Sequence, residues 1–356
     1  MTNYKVPHLP LDGELETKKV LKQLPKAHAA LAELKGIAAS IPNQQILLNT
    51  LILREAKDSS AVENIITSHD EIYKAQLDLR GFKSIAAKEV QNYISAIKLG
   101  FQEIKENQII TNNTIKKIQA ELEKNNAGFR KQAGTRLKND ATGEVVYMPP
   151  QHPDEIIELM KNLELYINNT SDEDLDPLIK MAIIHHQFES IHPFYDGNGR
   201  TGRIINILFL ILKGLQELPI LYLSRYIIRN KTDYYRLLQQ VRTDGKWEQW
   251  FLFMISGIED TAKDTIQMIK DIKSLMLMYK HTLRNNYKFY SQDLINNLFS
   301  HPYTKIELIM RDLKVSRITA ANYLNTLAKD GMLDKAQLGR SNYYINYGLF
   351  QILSRP

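Results

Sequence analysis

Apolar residues recur at helical spacing from Leu15 into the 280s of this 356-residue chain, and this period limits the fold more than any other feature. Prolines and glycines interrupt it at intervals that suit short loops, at Pro25, Pro42, Gly81, Pro149, Pro150, Pro153, Pro177, Pro193, Gly214, Pro219 and Gly245. We therefore predict a mainly α fold in which the helices form a bundle.

One stretch departs from the helical period and predicts a small β-hairpin. Residues 134–137 and 145–148 are short extended segments around a turn-rich loop at 139–143, and two prolines close the second segment. The predicted hairpin therefore spans about residues 134–149.

The composition is that of a folded globular protein, with 44% hydrophobic and 24% charged residues, and the length suits two or three domains. The N-terminus lacks an apolar signal segment, and the longest apolar run, residues 204–212, is far shorter than a membrane span. The absence of cysteine excludes disulfides, thiolate catalysis and cysteine-bound zinc, and we expect a cytoplasmic protein. The net charge of +6 weakly favours acidic partners such as nucleotides or nucleic acid.

The C-terminal region, residues 286–356, has the pattern of a winged helix-turn-helix. Thr304 and Ser316 suit the N-caps of two of its helices, and a two-stranded wing follows the last helix. The helices are expected at residues 294–299, 304–313 and 316–329.

Such a fold can bind DNA, but the charge of this region gives only weak support for that function. Residues 291–356 carry eight Lys or Arg and five Asp or Glu, a net charge of +3. A role in protein contacts or in structure is the alternative. If DNA does bind, the residues expected to face it are Ser316, Arg317, Thr319, Asn322, Tyr323 and, on the wing, Arg340.

The segment from His192 to Arg203 has the composition of a phosphate-binding site. Glycines at positions 197, 199 and 202 let the backbone approach a ligand closely, and an apolar helical run follows them. A glycine-rich loop that opens a helix presents unpaired N–H groups and the positive end of the helix dipole to an anion. Arg200 and Arg203 add two positive charges on the first turn of that helix.

Residues 192–203 read His-Pro-Phe-Tyr-Asp-Gly-Asn-Gly-Arg-Thr-Gly-Arg, which matches every fixed position of the motif His-Pro-Phe-x-Asp-Gly-Asn-Gly-Arg-x-Gly-Arg. On this motif the chain resembles the Fic (filamentation induced by cyclic AMP) family. The resemblance implies a Fic-type helical bundle with a hairpin flap, and a protein adenylyltransferase that moves AMP from ATP to a hydroxyl of a target protein or of itself. It divides the chain into an N-terminal helical region (1–105), a catalytic core (106–285) and the winged-helix region.

The residue types of the motif suit this reaction. A hydroxyl group is a poor nucleophile at neutral pH, and the imidazole of His192 is suited to take its proton. Asp196 is expected to bind Mg²⁺, which prefers hard oxygen ligands, and Asn198 is expected to donate to the α-phosphate. The two arginines are expected to neutralise the β- and γ-phosphates. The predicted ATP-binding residues are Glu63, His192, Gly197, Asn198, Gly199, Arg200, Thr201, Gly202, Arg203 and, from the resemblance alone, Tyr235.

A second motif, Ser59-Ser60-Ala61-Val62-Glu63-Asn64, predicts autoinhibition. Ser59 and Glu63 are four residues apart and share a face if the segment is helical, and an N-cap serine before a surface glutamate is the ordinary interpretation. Because Ser/Thr-x-x-x-Glu-Gly/Asn is the inhibitory motif of the Fic family, the resemblance implies an inhibitory helix at about residues 58–68. Ser59, Glu63 and Asn64 are then inhibitory residues, and the Glu63 carboxylate would pair with Arg203 and misalign ATP.

Other functions remain open. Glu63 could instead orient a water molecule that removes AMP from a modified protein, or residues 291–356 could act as a DNA-binding regulator. His185 and Glu189 share a helix face as metal ligands would, but no third ligand has suitable spacing, and packing roles are favoured. The partners that we expect are ATP and a target protein, with a homodimer and DNA also possible and no membrane.

Overall fold

The computed structural model describes residues 4–76, 84–139, 142–169, 175–338 and 341–355. Over these residues the chain is mainly helical, as predicted. The helices before the hairpin are α1 (Lys18–Ala39), α2 (Gln45–Val62), α3 (His69–Gln76), α4 (Ile85–Asn107) and α5 (Asn112–Glu123). The hairpin strands are β1 (Leu137–Lys138) and β2 (Val145–Tyr147). The helices that follow are α6 (Pro153–Asn168), α7 (Pro177–Ile191), α8 (Asn198–Leu212), α9 (Leu223–Arg229), α10 (Lys231–Asp244) and α11 (Trp247–Asn286).

The C-terminal elements are α12 (Gln292–Ser300), β3 (Tyr303–Thr304), α13 (Ile306–Leu313), α14 (Arg317–Lys329), β4 (Asp334–Leu338), β5 (Ser341–Ile345) and α15 (Tyr347–Ser354). The three strands form an antiparallel sheet in the order β3-β5-β4. The winged-helix assignment of this region stays a prediction. One contiguous hydrophobic core joins buried residues of the helical regions and of the C-terminal sheet.

Most predicted breaks fall at helix ends, but the one at Pro25 is wrong. Pro153 and Pro177 occupy the first position of α6 and α7, where a missing N–H costs nothing, and Gly245 ends α10 with a left-handed backbone. Pro25 lies inside α1, which continues through it because its buried face packs along α11. Gly81 lies outside the described residues.

The hairpin is present where it was predicted. Leu137 is paired with Tyr147 across two antiparallel strands, and a register irregularity follows Leu137. Asn139 and Gly143 bond across the base of the loop, whose tip, residues 140–141, lies outside the described part of the chain. The strands are short, so the hairpin depends on its contacts with the helical core.

One sequence expectation for the C-terminal region needs correction. Thr304 is not an N-cap: it lies in β3, and its buried hydroxyl donates to Asn297. The ring of Tyr323 is half-buried and stacks on Phe289 at 4.3 Å, and its contact with DNA stays a prediction. Ser316 is an N-cap as predicted and accepts from the Thr319 amide. Arg340 lies outside the described residues.

The helix that carries Ser59 runs over α2 rather than over the expected residues 58–68. It begins earlier because buried apolar residues between Ile46 and Ala56 pack into the core, and it ends at Val62. α2 contacts α4, α8 and α9 on one side and the C-terminal helices α12 and α15 on another. No helix among the described residues is both long and apolar enough to cross a membrane.

Candidate active site

The predicted phosphate loop connects the two most deeply buried helices, α7 and α8. α7 ends at His192, which caps the helix with a left-handed backbone (φ 50°), and α8 begins at Asn198 after Gly197, which is also left-handed (φ 76°). Phe194 is fully buried between Phe129 and Phe188 and anchors the loop to the core. The loop is therefore held at both ends and in its middle.

The side chain of Asn198 closes this loop. Its amide oxygen accepts from Phe194 N at 2.8 Å, and its amide nitrogen donates to Phe194 O at 2.8 Å. Asn198 is buried, so in this conformation its amide shapes the loop. The contact from this amide to an α-phosphate stays a prediction.

His192 lies at the rim of the loop with a neutral imidazole. Burial, reinforced by the positive charges of Arg130 and Arg242, lowers the pKa of His192 to about 3. Its Nδ1 is buried without a hydrogen-bond partner among the residues that the structure describes. A neutral imidazole can accept a proton from a hydroxyl group, which is the role predicted from the sequence.

The first turn of α8 is occupied by a carboxylate from α2. A Cβ built on Gly199 would lie 2.3 Å from Glu63 Oε1, so this glycine is what allows the carboxylate to reach the helix start. Gly202 has a comparable role deeper in the helix, where a Cβ would meet Glu189 and Phe188. The N-terminus of α8 thus holds a negative group, as expected of an anion site.

Glu63 binds Arg203, as the motif predicted, and Ser59 binds the same guanidinium. Arg203 Nη2 donates to Glu63 Oε1 at 2.8 Å, and the guanidinium also donates to Ser59 Oγ at 2.8 Å and to Ser59 O at 3.0 Å. Only 2% of the Arg203 side chain is exposed, against 34% of that of Glu63. Burial alone would lower the pKa of Arg203, but the Glu63 carboxylate together with Tyr234 and Tyr93 outweighs it and holds the pKa above its ordinary value.

Asn64 explains the last position of the inhibitory motif. Its backbone is left-handed (φ 63°), a conformation that glycine and asparagine adopt at the lowest cost. Its side-chain oxygen accepts from Lys231 at 2.9 Å. The turn therefore ends α2 and directs Glu63 towards α8.

Arg200 is held by two carboxylates that sequence analysis did not identify. Its Nη1 donates to Glu89 of α4 at 3.0 Å, and its Nη2 donates to Glu123 of α5 at 2.9 Å. Glu123 is the neighbour that a Cβ on Gly197 would meet, and burial raises its pKa despite the charge of Arg200. Arg200 is thus engaged with protein carboxylates in this conformation, and its contact with a phosphate stays a prediction.

The side chains of Asp196 and Thr201 differ in their exposure to solvent. Asp196 exposes 78% of its side chain, and one carboxylate oxygen accepts from the Gly197 amide at 2.7 Å. An exposed carboxylate beside the helix start suits one Mg²⁺ ligand, the others being water and phosphate oxygens. Thr201 is fully buried, and its hydroxyl has no partner within the described chain.

Tyr235 lies on α10, with 46% of its surface exposed and its ring against Tyr234. Tyr234 donates or accepts at His185 Nε2 (2.8 Å), while His185 Nδ1 lies 3.0 Å from the Asn206 amide nitrogen. His185 also stacks on Trp250, as a packing residue does. Among the residues described, no group of three His, Cys, Asp or Glu could hold a metal ion.

Several residues near the loop escaped sequence analysis because nothing in their local pattern marks them. Arg130 lies in the segment before the hairpin and is 1% exposed, although the sequence there reads as a polar loop. Arg242 is a buried arginine on α10. Glu189 on α7 is also buried, and burial raises its pKa to about 7. A buried charge near a phosphate motif would have been the signal, but burial is not visible in the sequence.

Comparisons with known proteins agree with this geometry. Residues 21–102 match the Fic/DOC family N-terminal domain, residues 109–210 the Fic/DOC family, and residues 275–349 the C-terminal domain of SoFic-like protein adenylyltransferases. A stretch of 65 residues is 35% identical to protein adenylyltransferase fic-1 of Caenorhabditis elegans, covering 18% of this chain and 13% of that protein. A stretch of 180 residues is 28% identical to a probable protein adenylyltransferase, aq_aa38, of Aquifex aeolicus, covering 51% of this chain and 54% of that one.

Solved structures share the fold over longer stretches. A Fic family protein from Desulfovibrio desulfuricans superposes with a TM-score of 0.60 at 19% identity, over 93% of this chain and 96% of that chain. A fragment of Fic-1 from Caenorhabditis elegans superposes with a TM-score of 0.53 at 20% identity, over 71% and 73%. At these identities the likeness concerns the fold.

Proposed function

Because the chain belongs to the Fic/DOC family, we propose that it is a protein adenylyltransferase, which transfers AMP from ATP to a Ser, Thr or Tyr hydroxyl of a target protein or of itself. The observation that carries the proposal is the neutral His192 at the rim of a loop whose following helix presents its N-terminus and Arg203 to an anion. The matched stretches span only 13% and 54% of the two curated relatives, so the activity is argued from the site.

In the proposed reaction, the acceptor hydroxyl oxygen attacks the α-phosphorus of ATP and forms a new phosphoester bond. His192 takes the hydroxyl proton as this bond forms, which contributes a rate gain of about 10²–10⁴. The bond between the α-phosphorus and the bridging oxygen breaks, and pyrophosphate leaves with the electron pair. The AMP-modified protein and pyrophosphate are the products.

The phosphates are held by the start of α8. The amide groups of its first turn and the guanidinium of Arg203 supply positive charge where negative charge develops in the transition state. Asp196 would hold Mg²⁺ through its exposed carboxylate, and the ion would neutralise phosphate charge. Tyr235 is proposed to contact the adenosine.

We propose that the conformation described here is the inhibited one. The Glu63 carboxylate occupies the helix start, where a phosphate would otherwise bind, and it holds the guanidinium intended for the γ-phosphate. ATP must displace this carboxylate or bind with its phosphates in a different position. The first outcome lowers the affinity for ATP, and the second misaligns the α-phosphate for attack.

The test is the incorporation of α-labelled AMP into the full chain and into proteins of a cell extract, with Mg²⁺ present. Glu63→Gly should increase labelling and His192→Ala should abolish it. Arg229→Gln, which removes an exposed ion pair with Asp264, should leave labelling unchanged and serves as the matched control. Equal labelling by the Glu63 and His192 variants would contradict the proposal.

The reverse reaction is the second candidate, because Glu63 keeps part of its carboxylate exposed beside the loop and could orient a water molecule. Loss of AMP removal in Glu63→Gly would favour it. DNA binding by residues 291–356 gains little support, since Arg317 is paired with Glu307 at 2.9 Å. A gel-shift titration of the full chain at low salt tests it. We propose a cytoplasmic location, and gel filtration tests the possible homodimer.

A further inference from the structure

Arg130 is a buried arginine that donates four hydrogen bonds to backbone carbonyl groups, three from its side chain and one from its backbone N–H. Its Nε donates to His192 O at 2.8 Å, and its Nη2 donates to Ile191 O at 3.3 Å and to Pro150 O. Its backbone N–H donates to Pro193 O at 2.8 Å. The guanidinium therefore binds both the end of α7 and the end of the hairpin segment.

These bonds act on a backbone that needs support. His192 has a left-handed conformation, which is unfavourable for a non-glycine residue, and the last carbonyl groups of a helix such as α7 have no helical partner. A planar guanidinium with five donors in fixed directions suits several carbonyl groups at once, whereas an ammonium group does not. The position of the imidazole therefore depends on this side chain.

A second set of contacts ties the same hairpin to the same helix end. Tyr147 Oη of β2 donates to Ser190 O at 2.8 Å, and Arg242 lies over the Tyr147 ring at 3.9 Å while its Nε donates to Ser190 Oγ at 3.1 Å. The hairpin and the last turn of α7 are thus joined by two sets of contacts. A change in the tilt of the hairpin would be transmitted to His192.

From this geometry we propose that Arg130 is a positioning residue, which fixes the imidazole of His192 relative to the hairpin that is expected to present the acceptor segment. The proposal rests on the adenylyltransferase function proposed above. Arg130 does not touch the reacting atoms. It acts by fixing the distance between the backbone of His192 and the C-terminal end of the hairpin segment.

The charge of Arg130 gives this role a second, independent readout. The charged groups that act on the His192 imidazole are Arg130 from the pre-hairpin segment and Arg242 from α10. Both arginines oppose protonation of the imidazole. Arg130→Gln removes one of these charges, whereas Arg130→Lys keeps the charge and loses the fork of donors.

The experiment compares Arg130→Lys and Arg130→Gln in the full chain carrying Glu63→Gly. Both variants should lower kcat about 10- to 100-fold with KM for ATP unchanged, because a displacement of about 1 Å at the base has that effect. The acid limb of the kcat profile should move to higher pH in Arg130→Gln but not in Arg130→Lys. Arg229→Gln, a surface arginine with no tie to the loop, is the control for both.

An NMR titration of the His192 ring protons gives a readout that needs no transferase activity. A rise in the imidazole pKa in Arg130→Gln alone supports the proposal even if the parent chain transfers no AMP, and in that case only the proposed function fails. Unchanged kcat in both variants, or equal titration of His192 in both, would overturn the proposal. Loss of the folded state in both, seen by circular dichroism, would also overturn it by making Arg130 a residue of the scaffold.

Discussion

Replacing Glu63 by glycine should activate the protein by an amount that the structure allows us to work out. The change removes a charge-assisted hydrogen bond of 2.8 Å to Arg203, a type of bond that contributes about 1.5–3 kcal/mol. Because 34% of the Glu63 side chain is exposed, water weakens the bond, and we take the lower half of that range. About 1.5–2 kcal/mol corresponds to a population shift of about 10- to 30-fold towards the state that accepts ATP.

The assay is the initial rate of AMP transfer from α-labelled ATP at subsaturating ATP, together with the Kd for a non-hydrolysable ATP analogue. Glu63→Gly should increase the rate and the affinity by a similar factor, because both report the same displaced carboxylate. Glu63→Gln keeps the shape and a neutral hydrogen bond, so we expect only about 2- to 5-fold activation. Ser59→Ala should activate less than Glu63→Gly, since Arg203 loses one bond but keeps those to Glu63 and to Ser59 O.

Two results would refute this reasoning. If Glu63→Gln activates as strongly as Glu63→Gly, the charge of the carboxylate does not hold the resting state. If Glu63→Gly raises the rate without changing the affinity for the analogue, the carboxylate does not compete with the phosphates, and inhibition acts on a later step.

Three further predictions follow from other residues. His192→Ala should reduce AMP transfer by at least about 10²-fold while binding of the ATP analogue, measured by calorimetry, is retained. Phe194→Ala should destabilise the protein by about 3–5 kcal/mol, measured by urea unfolding, because the ring is fully buried against Phe129 and Phe188. Burial raises the pKa of Glu55 from its ordinary value of 4.5 to about 8, so its contribution to stability is fully present below pH 4.5 and is lost as the pH rises from 4.5 to about 8. Urea midpoints at pH 6 and pH 9 should therefore differ less in Glu55→Gln than in the unchanged protein.

Sequence analysis predicted those parts of the site that depend on residues close together in the sequence. Glycine freedom, arginine charge and the apolar run that follows are all contained in residues 192–212, and the structure has the predicted loop and helix there. The pairing of Glu63 with Arg203 spans 140 residues, yet it was predicted because the resemblance supplied the partner. Without the resemblance, a serine and a glutamate four residues apart suggest only a helix start.

The parts that were missed depend on distant contacts. Glu89 lies 111 residues from Arg200, and neither its charge nor its spacing distinguishes it from any surface glutamate. The start of α2 was misplaced because Ser59 resembles an N-cap, whereas packing extends the helix well before it. Pro25 was read as a break, but packing of α1 on α11 outweighs the lost hydrogen bond.

The contact between Gly199 and Glu63 implies that substitutions on its two sides have different effects on activity. A side chain at Gly199 would expel the Glu63 carboxylate, since its Cβ would lie 2.3 Å away, but it would stand where the phosphate must come. Loss of Arg203 would release Glu63 and remove the proposed γ-phosphate ligand together. Substitutions that activate the protein are therefore expected at the end of α2 and not in the loop at residues 192–203. A search for constitutively active variants should recover changes at residues 59–64 and none in that loop.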